Sequence, residues 1–496
     1  MEHYRLALLV MVLQGISSPA QTFSTRNDFN NAQGPDEMGW TLVRSDSGYL
    51  VIQACEDTMN LFLRVGLAHL SQNGTVSEIR SFGQDGLALY VGWANGTVRS
   101  PQGFTLCGST DDGTDNRAIV WQLDEELDSL WMLEPYEDTV DFSGGTMARS
   151  KNGVIAAVGG VWHTGQSGRA FLALVDPSGI LQNLTEYGTS MRDFAVSVDT
   201  CSDGGFVIGG DSWLTGTDHD GFIIKTDAAG FQEWRRDLGG PYRDSYLSVI
   251  STSDGGYIAV GAYATYQSGF STYYRLYAAR LNANGDLIWE KQYGQQGTVN
   301  ELSSVTELHD GTFIAAGLYP SSGGDKGVLL KFAANGDSLW MRTFRHPPLD
   351  SVFSVHWLRH VVEDTDGSLV ATGSCNDGQQ DLWVIRVDSF GCLVPGCQLY
   401  DHIAEQPSTA SKSDLNFMLY PNPATGHVYI SFRSAGPPKG EFRLYDPKGA
   451  LVRRFAPTSR SEELEIALTQ YPSGSYLICY VESIQGVRWA QTLIKE

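Results

Sequence analysis

Several things are scarce in this chain, and each scarcity excludes a class of function. Positive charge is the first: 34 Lys and Arg face 57 Asp and Glu, a formal charge of −23. Between Asp414 and Glu496 nine basic and eight acidic residues nearly balance, so the rest of the chain carries −24 (−23 less +1). A body this acidic repels nucleic acid and anionic lipid, which removes both as expected partners. Long apolar runs are missing after the first twenty residues, so no later segment is expected to span a membrane. Cysteine is sparse and odd in number, seven in all, with no Cys-x-x-Cys pair to suggest a zinc site of that type. Gly-x-Ser-x-Gly, His-Glu-x-x-His and a phosphate-binding glycine loop do not occur either. Charged residues make up only 18%, whereas glycine reaches 55 residues, a balance that suits short strands and tight turns better than helices.

What is present begins with an export signal. Arg5 supplies the positive start, Leu6 to Ile16 a short apolar core, and Ser18-Pro19-Ala20 the small residues of a cleavage site, leaving Gln21 first. The apolar run is too short for a membrane anchor. In an exported chain seven cysteines leave at least one unpaired. Cys392 and Cys397, in Gly-Cys-Leu-Val-Pro-Gly-Cys, are the disulfide candidates. Cys55, Cys107, Cys201 and Cys375 fall in expected strands and read as small buried hydrophobes.

The dominant pattern is a repeat. An apolar anchor behind a glycine-rich turn recurs as Tyr49, Phe104, Val154, Phe206, Tyr257, Phe313 and Leu369, at spacings of 50 to 56 residues. In the clearest copy, Phe194–Thr200, Phe206–Gly209, Gly221–Thr226 and Gln232–Leu238 read as four strands joined by Asp/Gly turns. Four strands repeated seven times predict an all-β, seven-bladed β-propeller over residues 21–398, in which neighbouring sheets cover each other's faces. An open solenoid of the same units is the alternative. Trp131, Trp234, Trp289 and Trp340 recur in the fourth strands and are expected to pack between blades. The seventh copy lacks a fourth strand, so the segment from Gln21 to about Phe29 is expected to supply it and close the ring.

Past a polar linker (399–413) the composition changes. Residues 414–496 show strands separated by Pro/Gly turns and predict a small β-sandwich. Tyr420-Pro421-Asn422-Pro423, the Leu444–Gly449 hairpin, Leu468-x-x-x-Pro-x-Gly474-x-Tyr476 and the near-terminal Lys495 occur in order. This region closely resembles the C-terminal sorting domain (type A) of proteins exported by the bacterial type IX secretion system. The resemblance implies the secretion machinery as partner, passage through the periplasm and outer membrane, removal of the tail, and attachment to surface lipopolysaccharide or release. The repeats also look like those of large propeller proteins that carry this tail, a likeness that implies no activity. In such an exporter Asn73-Gly-Thr and Asn95-Gly-Thr read as hairpin turns rather than glycosylation sites.

Functional candidates sit on the irregular face, where loops differ between copies, rather than on the face of uniform Asp-Gly-Gly turns. Trp162, Trp213, Tyr263 and Tyr266 are its aromatic candidates. Thirteen residues before the anchors stand Asp36, Val91, Asp141, Asp193, Asp244, Asn300 and His356, six of which can ligate a cation. Converging carboxylates would need Ca²⁺, Arg192 and Arg243, or ordered water to offset their repulsion. The favoured reading is simpler: each Asp bonds local backbone amides. His356-x-x-x-His360 could place two imidazoles on one strand face, though no third ligand is evident. No catalytic residue or resident cofactor is assigned. The expected function is a secreted, surface-delivered module that binds an extracellular glycan or protein. A polysaccharide hydrolase or lyase with acids at the propeller mouth is the enzymatic alternative, and a passive coat protein the structural one. A binding module should show aromatic or acidic clusters on one face, and a hydrolase two carboxylates about 5–10 Å apart in a pocket.

Overall fold

The computed structural model describes residues 22–27, 37–56, 63–83, 86–135, 141–163, 165–188, 192–215, 218–244, 248–268, 271–321, 324–346, 354–376, 380–393, 416–420, 424–433, 440–445, 451–456, 463–472, 474–482 and 486–495. The chain divides into two compact units, one of which is Thr22–Leu393. Every element described is a β-strand.

β1 (Phe23–Asn27) stands apart from its neighbours in sequence. The next strands, β2 (Met38–Arg44), β3 (Gly48–Glu56), β4 (Leu63–Ser71) and β5 (Val76–Phe82), form an antiparallel sheet in chain order. The second sheet joins β6 (Ala88–Val91) and β7 (Thr97–Ser100) to the same edge of β8 (Gly103–Asp111), followed by β9 (Asn116–Leu123) and β10 (Ser129–Leu133). Regular sheets follow: β11 (Asp141–Arg149) to β14 (Leu181–Tyr187) through β12 (Ile155–Trp162) and β13 (Arg169–Val175), then β15 (Asp193–Thr200), β16 (Phe206–Thr215), β17 (Asp218–Thr226) and β18 (Gln232–Leu238). The fifth contains β19 (Ser248–Ser251), β20 (Tyr257–Ser268), β21 (Ser271–Leu281) and β22 (Leu287–Gly297), and the sixth β23 (Glu301–Glu307), β24 (Phe313–Tyr319), β25 (Lys326–Phe332) and β26 (Ser338–Phe344). The last comprises β27 (Val355–Glu363), β28 (Leu369–Asn376) and β29 (Gln380–Val387), and β1 completes it, pairing antiparallel from Phe23↔Arg386 to Asn27↔Leu382. That is the partner expected for the N-terminal segment.

Each repeat anchor lies at or next to the start of a strand, where Tyr49, Phe104, Phe206, Tyr257, Phe313 and Leu369 are buried and Val154 half-buried. The second sheet departs from the pattern because Gly92–Gly96 interrupts its first strand. Asn95 takes a left-handed φ of 67° there, and Trp93 N–H donates to Gly145 O at 2.7 Å, so the insertion reaches across to β11. Asn73-Gly74 is a turn between β4 and β5, with Gly74 at φ 82°.

Neighbouring sheets are joined in three repeated ways. First strands lie beside one another and are bulged, and a side chain just after the bulge accepts an N–H from the next copy. Thr146 Oγ1 accepts from Val198 at 3.0 Å, Ser197 Oγ from Val249 at 2.9 Å, and Thr41 Oγ1 from Gly96 at 3.1 Å. Fourth-strand tryptophans cap the glycine of the following sheet's last turn. A Cβ on Gly179, Gly285 or Gly391 would come within 2.9 Å of Trp131, Trp234 or Trp340, respectively. Buried clusters also straddle the boundaries, as Val207, Ile223, Val249, Ala259 and Tyr277 do between the fourth and fifth sheets.

The seventh and first sheets meet by the same devices. Leu42 N–H donates to His360 Nδ1 at 3.1 Å, and Phe23 rather than a tryptophan covers the Gly74 turn, 2.6 Å from where a Cβ would stand. Leu42, Tyr49, Val51, Val370, Leu382 and Val384 share one buried cluster. Tyr49 Oη donates to Asp364, which also pairs with Arg386 at 3.0 Å.

Cys55, Cys107 and Cys375 are buried in strands as reduced thiols, as is Cys479; Cys201 lies just past β15, half-buried and also reduced. Burial pushes the Cys107 thiol up to about 12, which leaves it unreactive. Cys392 is disulfide-bonded, and Cys397 lies outside the described residues.

The other unit contains the C-terminal strands. β30 (Asn416–Tyr420), β31 (His427–Arg433) and β34 (Glu463–Ala467) make one sheet. β32 (Glu441–Tyr445), β33 (Leu451–Phe455), β35 (Gly474–Glu482) and β36 (Gly486–Lys495) make the other. Val428, Ile430 and Ile466 from the first share a core with Phe442, Leu444, Ile478, Tyr480 and Leu493 from the second, the packing of a small sandwich.

Candidate functional site

Three of the residues thirteen before the anchors bond to the preceding sheet. Asp193 N–H donates to Gly168 O at 3.0 Å, Asp244 N–H to His219 O at 2.8 Å, and His356 N–H to Asp325 O at 3.1 Å. Their side chains serve the same joints. Asp193 is fully buried and accepts from Arg235 Nη2 at 2.7 Å. Asp244 takes the N–H groups of Gly240 and Ala264, both at 2.5 Å. Asn300 Nδ2 donates to Tyr274 O at 2.7 Å and Gln295 O at 2.8 Å. Asp141 opens β11 opposite Trp162, and Asp36 lies outside the described residues. Among the described residues no group of three His, Cys, Asp or Glu side chains comes together for a metal.

The paired-imidazole reading of His356 and His360 fails for a backbone reason. Leu358 faces Gly373 and His360 faces Thr372, so Arg359 is the extra residue of a bulge, and the alternation that would align the two rings is broken. His356 packs edge-on against Trp383 at 5.4 Å. Burial lowers His360 to about 4, so its ring is neutral and its Nδ1 is an acceptor for Leu42. The extra residue has a place of its own: the Arg359 guanidinium lies 3.9 Å from the Trp40 ring centre and 3.8 Å from that of Trp357.

The aromatic candidates converge more than the acids do. Trp213 and His219 are cross-strand partners in β16 and β17, with rings 4.0 Å apart. Trp213 N–H donates to Arg192 O at 2.8 Å, which extends the β15–β16 ladder and brings the Arg192 side chain alongside. The Arg192 guanidinium then lies 5.2 Å from the ring of Trp162 and 5.1 Å from that of Trp213, while Arg243 lies 5.7 Å from Trp213. Arg192 and Arg243 thus cover tryptophan faces instead of neutralising a ring of acids. Burial first, then Arg243 and Arg192, lower His219 to about 4 and keep it uncharged at neutral pH. Phe194 carries the aromatic chain on, 5.8 Å from Trp162 and 6.3 Å from Trp93, and Trp93 lies 6.1 Å from Trp40. Tyr263 packs on Tyr277 at 5.6 Å, and its hydroxyl stands 2.6 Å from where a Cβ on Gly240 would be. The segment from Gly239 to Asp244 is therefore held against both Trp213 and Tyr263. Tyr266 pairs with Tyr273 at 5.9 Å and is half exposed.

A cavity of about 510 Å³ opens at the opposite ends of the first strands, lined among others by Arg149, Asp199, Thr200, Ser251 and Glu307. Asp199 accepts N–H bonds from Ser251 at 2.9 Å and Thr200 at 2.8 Å, yet burial pushes its carboxyl up to about 6. Sequence reasoning passed over this residue because it lies on the face of uniform turns. The available signal was a carboxylate where other copies carry Ile250, Thr306 and Val362 at the matching distance from the anchor.

In the C-terminal unit Tyr420 ends β30 with its hydroxyl on Glu463, Gly474 opens β35, and Lys495 pairs with it from the end of β36. Pro421, Asn422, Pro423 and Gly449 lie outside the described residues, as do Ala20 and Gln21. Residues 418–496 match the family model of the secretion system C-terminal sorting domain. The tail is a type IX sorting domain. The protein is accordingly a secreted one, exported by that route, and proteins with this tail are often attached to the cell surface. No curated protein matches the chain. Among solved structures it is similar to the WD40 domain of Neurospora crassa Pan2, with 10% identity, TM-score 0.45 and coverage of 74% of this chain and 96% of that one. It is also similar to the polysaccharide lyase Uly1 (12% identity, TM-score 0.42, 73% and 91% covered). A third is PorZ, a surface component of the type IX secretion system of Porphyromonas gingivalis (12% identity, TM-score 0.26, 92% and 81% covered).

Proposed function

We propose that the exported body is a closed ring of seven blades that acts as a binding or adhesion module, without catalysis of its own. Support for the ring comes from the joints between the last and first sheets, which repeat the joints found elsewhere. Support for binding comes chiefly from one observation: Trp162, Arg192, Trp213, His219 and Arg243 gather where loops vary between copies. Structural turns have no need of such a cluster, whereas recognition of an extracellular polymer does. The sorting tail delivers this face to the outside of the cell, where polysaccharides and surface proteins are the available ligands. Profiling the full chain against a glycan array, with product analysis of each bound glycan, tests the reading. Retention of unmodified glycan is the expected result; shortened or unsaturated products would replace it with the hydrolase or lyase alternative.

A further inference from the structure

Several well-covered arginines here are matched to an acid: Arg235 to Asp193 at 2.7 Å, Arg386 to Asp364 at 3.0 Å, and Arg280 to Asp254. Half-buried Arg192 and exposed Arg243 have no such match among the described residues, although the chain carries 57 acidic residues. Among the described residues neither makes an ion pair, and the buried Nε of Arg192 finds no acceptor there. The nearby acids are otherwise engaged, Asp193 by Arg235 and Asp244 by two backbone N–H groups. Asp211 faces Arg192 electrostatically but is held above the usual carboxylate range by burial. We infer that Arg192 and Arg243, laid over Trp162 and Trp213, form an oxyanion subsite for an acidic polysaccharide.

The geometry supports an oxyanion as occupant. A guanidinium resting on an indole face keeps its N–H edges available in the ring plane, and those edges match the two oxygens of a carboxylate or sulfate. Backbone bonds fix both arms, Trp213 N–H to Arg192 O and Asp244 N–H to His219 O, each at 2.8 Å, so little ordering remains for a ligand to impose. The neutral ring of His219 supports Trp213 without adding charge. Tyr263, on the other side of the Gly239–Asp244 segment, adds an aromatic body with a polar tip, the kind of surface that suits a sugar. Because the body as a whole repels anions, the attraction is confined to these two side chains.

This inference rests on the binding-module reading, and the experiment separates the two. The full chain is titrated calorimetrically with oligogalacturonate, a sulfated oligosaccharide, a neutral glucan and polyglutamate. Binding of the carboxylated or the sulfated sugar, weakened about tenfold or more in R192Q/R243Q with an unchanged melting temperature, is the expected result and identifies the oxyanion. R243Q alone changes only an exposed side chain and should weaken binding without affecting folding. Unchanged affinity in the double variant overturns the subsite, and so does preference for polyglutamate. Binding of neutral glucan that ignores both arginines overturns the subsite but leaves the binding module standing; no binding to any saccharide or to polyglutamate counts against both.

Discussion

The joint between the fourth and fifth sheets and the joint between the seventh and first do the same mechanical work with different chemistry. In the former, Ser197 accepts the Val249 N–H and Trp234 covers the Gly285 turn. In the latter, His360 takes the place of the serine and Phe23 that of the tryptophan. A hydroxyl rung does not titrate between pH 4 and 7, and a histidine rung does. The comparison shows that equivalent positions in a repeat can share geometry while differing in their response to the medium. The seam also depends on a short strand, β1, that precedes β2 in the chain yet pairs with β29.

Removing residues 22–27 should break the comparison most severely. It uncovers the edge of β29, takes away the Ser24 partner of Trp383 Nε1 (3.0 Å), and bares the Gly74 turn. Several kcal/mol of stability should be lost, roughly the range for breaking a buried network, and thermal melting should show an early transition or none. An intact, unshifted melt would mean β1 contributes nothing to the seam.

Next in size is the rung itself. His360 is ordinarily a base of pKa 6.5, but in the fold it sits near 4 because it is buried. Its folded value is depressed, so the unfolded chain binds the proton first as pH falls. The stability it supports is complete above about pH 6.5 and lost progressively toward pH 4. His219 contributes in the same window and the same direction. Urea denaturation of His360→Thr should show about 1–3 kcal/mol lower stability at pH 7 from the cavity, with a shallower decline from pH 6.5 to 4. A decline as steep as in the parent chain would refute the assignment.

Gly285→Ala probes the interior joint. At φ +78°, with Trp234 carbons 2.9 Å from the new Cβ, it should cost about 1–2 kcal/mol, as should Gly74→Ala against Phe23. Similar losses in paired melts would establish the two aromatics as equivalents. The smallest effect is expected at Asp199. Its folded pKa is raised from 3.8 to about 6, so its charge is a cost that grows between those values and persists above them. Asp199→Asn should therefore gain a few tenths of a kcal/mol at pH 7, net of one weakened N–H bond, and nothing at pH 3.5. A loss at pH 7 would place the carboxylate's N–H bonds above its desolvation.

The repeated sheets were readable because copies of one pattern correct each other's noise, and the missing fourth strand of the last copy pointed to its supplier. The packing role of Trp234 and its counterparts was also readable, but not the glycine turn each one covers, since that contact joins residues about fifty apart. The bulge at Arg359 left no mark in the composition of β27, and the two histidines therefore seemed to share a face. Arg192 and Arg243 drew attention as charges, whereas their use here is as flat cations on indole rings, which depends on side-chain direction rather than on type.

Ser24 of β1 and Trp383 of β29 touch across 359 residues of chain. During synthesis β1 is made long before β29 and cannot pair until that strand has followed. A body cut short before β29 would leave β1 without its strand partner.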